Sequence, residues 1–121
     1  MTTPTPAELE ILHVLWQCGE AKVQAVNDKL SESKPVGYTT TLKTMQIMEQ
    51  KGLLGRKKDG KSHIYFPQIA QADTQSSMLD KLLQSAFGGS KSQLVMQLLD
   101  NKKVSKKELD EIKTFLDNLG K

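Results

Sequence analysis

A set of polar side chains recurs at helical spacing near the middle of the chain, and their chemistry suits the edges of DNA bases. Thr39, Thr40, Lys43 and Gln46 fall on one side of a predicted helix, opposite its apolar residues. Threonine methyls can contact thymine methyls, a glutamine amide can pair with adenine, and a lysine can reach guanine or a phosphate. Tyr38, at the helix start, can donate its hydroxyl to a phosphate. We therefore predict that these five residues bind duplex DNA; an ordinary solvated helix face is the alternative interpretation.

A short basic hairpin follows this helix directly. Residues 51–61 hold five basic residues and one acid, a net charge of +4, whereas all 121 residues together carry +3. Asp59 and Gly60 predict a two-residue turn in which both central positions have positive φ. The cations beside this turn are predicted to contact phosphates or the minor groove: Arg56, Lys57, Lys58 and Lys61. The alternative is that these lysines only protect a solvated strand edge.

Two helices are predicted ahead of the polar helix. The first begins at a capping box, with Thr5 as the N-cap, Pro6 at the first helical position and Glu8 three residues after the cap. It is expected to end near Gly19. The second covers about residues 22–32 and is followed by a break rich in proline and glycine.

The third helix carries the polar residues and leads into the hairpin. It is predicted to begin at Tyr38 or Thr39 and to end at Gly52. Its inward-facing residues are expected to be Leu42, Met45 and Met48. Strands over residues 53–58 and 62–66 complete the predicted hairpin. The predicted fold class is mostly α with a small β wing, namely a winged helix-turn-helix DNA-binding domain followed by a helical dimerisation tail.

The second half of the chain is predicted to be this helical tail. Three further helices are expected, over residues 68–87 and after capping boxes that open at Ser90 and Ser105. We place the DNA-binding domain in residues 1–68 and the dimerisation region in residues 69–121. The apolar residues expected to pack against a second copy of the chain are Leu79, Leu82, Leu83, Phe87, Leu94, Val95, Leu98, Leu109, Ile112 and Leu116. The alternative is that the tail folds back onto its own domain.

The composition argues against several other functions. Cys18 is the only cysteine, so no disulfide forms within the chain, and we expect it to be partly buried. His13 and His63 lie on separate predicted elements without an acidic cluster of metal-ligand spacing, and His13 is also expected to be partly buried. The sequence contains no glycine-rich phosphate loop, nucleophile elbow or HExxH pattern, so we expect no enzyme, no metal and no cofactor. Because no apolar stretch could span a bilayer, we expect a soluble cytoplasmic protein without membrane insertion.

Four stretches of the chain resemble the penicillinase-repressor family (BlaI/MecI): residues 5–16, 38–43, 49–53 and 57–66. Residues 88–119 are also similar to the family's dimerisation region, and the motifs keep the same order over nearly the whole chain. The resemblance implies a homodimeric repressor that binds a palindromic operator, with each winged helix reading one half-site. Since Thr39 and Leu42 stand where members often carry lysine and arginine, we expect a different operator sequence.

The resemblance also implies how repression ends. In this family the tail is cut by, or downstream of, a membrane-bound antibiotic sensor with a zinc-protease domain. The matching bond here joins Gln97 and Leu98, where the best-known members have Asn-Phe. A branch of the family senses copper through clustered cysteines in the tail, and this tail has none.

A second interpretation, from a different functional class, follows from the residues alone. A winged helix can serve as a protein-interaction module, in which the hairpin lysines would meet an acidic protein partner. The salt dependence of binding to duplex DNA, together with any preference for base sequence, separates this interpretation from the repressor.

Overall fold

The computed structural model describes residues 3–100 and 104–119, and these residues are mostly helical. The elements in chain order are α1 (Pro6–Cys18), α2 (Val23–Ser31), α3 (Tyr38–Gln50), β1 (Leu54–Asp59), β2 (Ser62–Pro67), α4 (Gln71–Phe87), α5 (Lys91–Asp100) and α6 (Lys106–Leu119). Their order and types confirm the predicted fold class. The contacts within the chain form two compact units, the first ending at Ser76 and the second beginning at Ser77.

α1 begins where the sequence predicts. The Thr5 hydroxyl accepts a hydrogen bond from the Glu8 N–H at 3.2 Å, and the Glu8 carboxylate accepts one from the Thr5 N–H at 2.9 Å. These reciprocal bonds form a capping box, which satisfies N–H groups that the start of a helix leaves without partners. Gly19, with a φ of 88°, ends the helix and donates its N–H to the Leu15 carbonyl.

The core of the first unit lies between α1, α2, α3 and the hairpin. Its buried residues are Ile11, Leu12, Leu15, Val23, Val26, Met45, Met48, Leu53, Leu54 and Tyr65. The predicted burial of Met45 and Met48 is confirmed, while Leu42 packs only partly against the cluster. Tyr65 on β2 exchanges both backbone hydrogen bonds with Ala21, at 2.8 and 3.0 Å. This bridge ties the hairpin to the segment between α1 and α2.

The turn of the hairpin lies one residue later than predicted. β1 and β2 pair through Asp59 and Ser62, so the two central residues are Gly60 and Lys61. Gly60 has a φ of 66°, and among the described residues only glycines have positive φ. The prediction that Asp59 and Gly60 are both central with positive φ is therefore wrong. A positive φ at only the first central residue, here Gly60, is the pattern of a type II′ turn. Asp59 is then the last residue of β1.

α4 begins later than predicted, because the segment before it is held on the first unit. The Gln68 N–H donates to the Leu53 carbonyl at 2.9 Å, and the Trp16 indole N–H donates to the Ile69 carbonyl at 3.0 Å. Ile69 also packs against the core. The first compact unit accordingly extends to Ser76.

Two side chains that were predicted to be partly buried are exposed. His13 and Cys18 lie on the outer side of α1, away from its buried residues Glu8, Ile11, Leu12 and Leu15. His13 packs edge-on against Trp16, with the ring centroids 5.4 Å apart. Within the part of the chain that the structure describes, no three His, Cys, Asp or Glu side chains come together as a metal site would require.

The second unit contains the rest of α4 together with α5 and α6. A pair of glycines with φ of 55° and 84° ends α4. The Ser90 hydroxyl accepts the Gln93 N–H at 3.3 Å, and the Ser105 hydroxyl accepts the Glu108 N–H at 3.1 Å, so both predicted caps open the helices that follow. None of the helices in residues 3–100 and 104–119 has both the length and the apolar character needed to cross a bilayer.

Candidate nucleic-acid interface

α3 presents one apolar face and one polar face. Met45 and Met48 are buried, whereas the residues predicted to touch DNA are exposed: Tyr38, Thr39, Thr40, Lys43 and Gln46. Gly37 is the N-cap of α3, so Tyr38, Thr39 and Thr40 occupy its first turn, and Lys43 and Gln46 continue the exposed face beyond it. In a helix-turn-helix, the N-terminal residues of the second helix are the ones that contact base edges. The exposed face of α3 therefore has both the chemistry and the place of a recognition helix.

The basic residues of the hairpin are divided between its two faces. Side chains alternate along a strand, and residues paired across two strands share a face. Arg56 pairs with Tyr65 and Lys58 pairs with His63, so these four lie on the inner face, where Tyr65 is buried in the core. Lys57 lies between Arg56 and Lys58 in β1 and therefore belongs to the outer face. The predicted set of hairpin cations thus splits into inner and outer residues.

The inner face of the hairpin borders a cleft beside α3. The cleft has a volume of about 370 Å³ and is lined by residues of α2, α3 and the hairpin. It brings together four of the nine residues predicted to bind DNA: Tyr38, Gln46, Arg56 and Lys61. Arg56 is oriented by Glu49 near the end of α3, with its Nε 3.3 Å from the carboxylate Oε1. A phosphate in this cleft would meet hydroxyl, amide, guanidinium and ammonium donors.

The outer face of the hairpin carries two ion pairs. Lys57 Nζ lies 2.9 Å from the Glu20 carboxylate, and Lys22 Nζ lies 3.3 Å from the Asp59 carboxylate. All four side chains are about half exposed, and such pairs typically contribute at most about 1 kcal/mol, so a stronger partner can open them. Lys57 is therefore partly neutralised and lies on the face opposite to the cleft.

Lys51, at the end of α3, is used for stability within the first unit. Its Nζ lies 2.8 Å from Glu8 Oε2, and Glu8 is only 3% exposed. Burial alone would raise the pKa of Glu8, but hydrogen bonds from Lys51 and from the Thr5 N–H, with the Lys51 charge, outweigh it and hold that pKa below its usual value. The pair ties the start of α1 to the end of α3. Lys51, one of the five basic residues in 51–61, is therefore already paired with a carboxylate within the first unit.

Three cations of this surface have no carboxylate within 4.0 Å among residues 3–100 and 104–119: Lys43, Lys58 and Lys61. Lys43 lies on the exposed face of α3, Lys58 on the inner face of the hairpin and Lys61 in its turn. An unpaired ammonium group gains most from a phosphate partner, because no existing ion pair has to open first. We therefore expect these three lysines to contribute most to phosphate binding.

Sequence reasoning missed four residues that shape this surface. Glu49 and Glu20 hold hairpin cations, and Asn27 with Thr41 forms a buried polar contact under α3. The spacing of Thr41 four residues before Met45 was an available signal, because that spacing puts both on one side of a helix. The two glutamates gave no such signal, since their partners are distant in sequence or depend on the strand register.

The apolar residues predicted to form a dimer differ in exposure. The exposed ones are Leu79, Leu82, Val95, Leu98 and Leu116, and the partly exposed ones are Phe87, Leu94, Leu109 and Ile112. Leu83 is only 6% exposed, so it packs within the chain instead of facing solvent. Met96 and Phe115, which the sequence analysis did not select, are exposed more than any of these.

A helix-turn-helix whose second helix has an exposed polar face beside a basic hairpin defines a winged-helix DNA-binding protein. Comparison with known proteins leads to the same class. Residues 4–118 match the sequence profile of the family described as Penicillinase repressor. The chain therefore belongs to the penicillinase repressor family of DNA-binding transcriptional repressors.

Individual relatives match over most of the chain. It is 28% identical over 111 residues to the penicillinase repressor of Bacillus licheniformis, an alignment that covers 92% of this chain and 87% of that protein. It is 21% identical to the methicillin resistance regulatory protein MecI of Staphylococcus aureus, with 92% and 90% covered. The solved DNA-binding domain of the repressor BlaI has a TM-score of 0.53 and 27% identity, covering 60% of this chain and 90% of that chain.

Proposed function

We propose that the protein is a homodimeric transcriptional repressor that binds a palindromic operator in duplex DNA, with one winged helix on each half-site. The observation that carries this proposal is the cleft where Tyr38 and Gln46 of α3 meet Arg56 and Lys61 of the hairpin. In this role α3 enters the major groove with its polar face toward the base edges, and the hairpin lies along the phosphate backbone. Residues 1–68 form the DNA-binding domain of this proposal.

Residues 69–121 supply the dimer contact. The large apolar side chains that support this role are between 43% and 66% exposed: Leu79, Leu82, Val95, Met96, Leu98, Phe115 and Leu116. Exposed apolar surface of this kind in a small protein is typical of a face that another chain covers. A second copy presents the same residues, as a two-fold symmetric dimer requires.

Dimerisation determines the operator geometry. Two recognition helices joined in one dimer must lie about one helical turn of DNA apart, or a small whole number of turns, to reach the same side of the duplex. A single winged helix with a few unpaired lysines binds weakly at physiological salt. Linking two of them raises the effective concentration of the second at its half-site, which can increase affinity by about 10²–10⁴-fold.

Repression ends in this proposal when the tail is cut at the bond between Gln97 and Leu98. The cut is made by, or downstream of, a membrane-bound sensor protease that responds to an antibiotic-type signal. Exposure of both residues on α5 supports this site, because a protease needs access to the backbone it cuts. The cut would detach α6 from the rest of the chain and weaken the dimer without changing a base contact.

Truncation after Gln97 tests this mechanism. We expect operator affinity to fall by at least about 10²-fold, because the two winged helices would then bind almost independently. Affinity for a single half-site measures the intact DNA-binding domain and serves as the control. If the truncated protein bound the operator as tightly as the full chain, relief of repression by cutting the tail would be refuted.

Selection from a random duplex library at two salt concentrations tests the repressor itself. We expect a palindromic consensus with two half-sites. A variant with both Lys58→Ala and Lys61→Ala serves as the control, since it should lose affinity for all sequences and keep the same consensus. Salt-sensitive binding without a consensus would contradict the proposal that the protein recognises a specific operator sequence. No binding to DNA at either salt concentration would favour the protein-interaction module with an acidic partner.

A further inference from the structure

Asn27 and Thr41 form a polar contact inside the otherwise apolar packing of α2 against α3. Thr41 is 1% exposed and Asn27 is 9% exposed, and the Thr41 Oγ1 lies 2.7 Å from the end of the Asn27 side chain. Val26 and Met45, their neighbours on the two helices, belong to the apolar core. Burying polar groups is unfavourable unless they are hydrogen-bonded. The hydrogen-bond partners of Asn27 and Thr41 therefore determine whether this contact stabilises the packing of α2 against α3.

The Asn27 amide nitrogen has three oxygen atoms around it. With the amide oriented so that its nitrogen faces them, it lies 2.7 Å from Thr41 Oγ1, 3.0 Å from the Val36 carbonyl and 3.3 Å from the Gly37 carbonyl. Main-chain carbonyl oxygens only accept hydrogen bonds, so a donor must occupy this position. The Asn27 NH₂ group is that donor, and an aspartate of the same shape could not replace it.

Two of these acceptors lie in the turn between α2 and α3. Gly37 is the N-cap of α3, and no side chain caps this helix. The Gly37 carbonyl also accepts the Thr41 N–H at 3.2 Å, which is the first hydrogen bond of α3. Ser31, also on α2, accepts the Val36 N–H at 3.3 Å. Asn27 therefore fastens the first turn of α3 to α2 through both the backbone and a side chain.

We propose that Asn27 is a positioning residue for base reading, which fixes the direction from which α3 enters the major groove. This inference rests on the proposed function. Thr39 and Thr40 lie in the first turn of α3, next to Gly37, so any loosening of that turn displaces them directly. Hydrogen bonds to base edges weaken steeply with misalignment. The hairpin cations are held by a separate strand pairing, so their contacts to phosphates do not depend on this turn.

Substitutions of similar shape test the proposal. Asn27→Asp keeps the size of the side chain and replaces the donor with a carboxylate that faces two carbonyl oxygens. Thr41→Val keeps the shape of the side chain and replaces its hydroxyl with a methyl group. Gln17→Glu is the matched control, because it makes the same change from amide to acid at an exposed position of α1 that does not line the cleft beside α3. Dissociation constants of the full-length variants are measured for the selected operator and for a scrambled duplex, each at two salt concentrations.

We expect Asn27→Asp to lower the ratio of operator affinity to scrambled-duplex affinity by about tenfold, roughly the effect of one mismatched base pair. Thr41→Val should lower this ratio less, and Gln17→Glu should leave it unchanged. The scrambled-duplex affinity and its salt slope should stay the same in Asn27→Asp and Thr41→Val. A structural role alone would lower both affinities together as the folded fraction falls.

An unchanged ratio in a folded Asn27→Asp protein would overturn the proposal. If Asn27→Asp does not fold, the affinity ratio of Thr41→Val becomes the test. An unchanged ratio in that variant would also overturn the proposal. A parallel loss of both affinities would also count against base positioning. A wild-type protein with no operator preference would instead overturn the proposed function, and this inference with it.

Discussion

Removing Lys51 from its partly buried ion pair with Glu8 should destabilise the first unit strongly, because it leaves the Glu8 carboxylate buried without its cation. Lys51→Met keeps most of the length of the side chain and removes its charge, which leaves the Glu8 carboxylate buried with the Thr5 N–H as a remaining partner. Breaking a fully buried pair in this way destabilises a protein by about 3–5 kcal/mol. The Lys51 side chain is 33% exposed, so water reaches the site, and we reduce the expected loss to about 2 kcal/mol.

This loss can be measured by thermal and urea unfolding at one fixed protein concentration. For a domain of about 60–100 residues, a loss of about 2 kcal/mol lowers the Tm by roughly 8–16 °C. Lys29→Met is the matched control, because Lys29 pairs with Glu32 at 3.4 Å between two exposed side chains. That variant should lose less than about 1 kcal/mol.

The dependence on pH follows from the lowered pKa of Glu8. Because the pKa in the folded state lies below the ordinary value of 4.5, ionised Glu8 stabilises the fold above that pH, and the contribution is lost as the pH falls through the folded pKa. In Lys51→Met, protonation of Glu8 relieves an unpaired buried charge. The difference in unfolding free energy between wild type and variant should therefore shrink as the pH falls from about 7 to about 3. A constant difference over that range, or a loss as small as that of Lys29→Met, would refute the reasoning.

Three further predictions concern DNA binding and assembly. Lys43→Ala should weaken operator binding and relax the base preference found by selection; an unaltered profile and affinity would show that α3 is not the reader. Lys58→Ala should reduce the salt slope of binding by about one unit, whereas Lys57→Ala, on the outer face, should reduce it less; equal reductions would contradict the division of the hairpin faces. Leu116→Glu should convert a dimer to a monomer in sedimentation equilibrium, with Lys113→Glu on the same helix as the control; a persisting dimer would exclude Leu116 from the contact.

Signals that depend on neighbouring residues were predictable from the sequence. The caps at Thr5, Ser90 and Ser105 each depend on residues three apart, and the structure confirms them. The burial of Met45 and Met48 follows from helical spacing in the same way. These local rules were sufficient to predict the winged-helix fold class.

Features that depend on strand register or tertiary packing were not predictable. A glycine can be the first or the second central residue of a tight turn, and only the pairing of Asp59 with Ser62 shows that Gly60 is the first. The same register separates Lys57 from Lys58, which adjacent positions in the sequence could not indicate. Glu49 reaches its hairpin partner Arg56 only because α3 and β1 pack together. The exposed face of α3 was therefore predictable, but the balance of charge around the hairpin was not.

The ion pairs of the hairpin bear on how the protein searches a genome for its target. An operator competes with about 10⁶–10⁹ other sites, and each uncompensated cation strengthens binding to all of them alike. Carboxylates hold Arg56 and Lys57, so within the described chain the hairpin is left with Lys58 and Lys61 as its unpaired cations. We therefore expect a protein with this balance of charge to remain only briefly on DNA of the wrong sequence. More of its copies are then free to find the operator, and its occupancy of the operator depends mainly on base reading by α3.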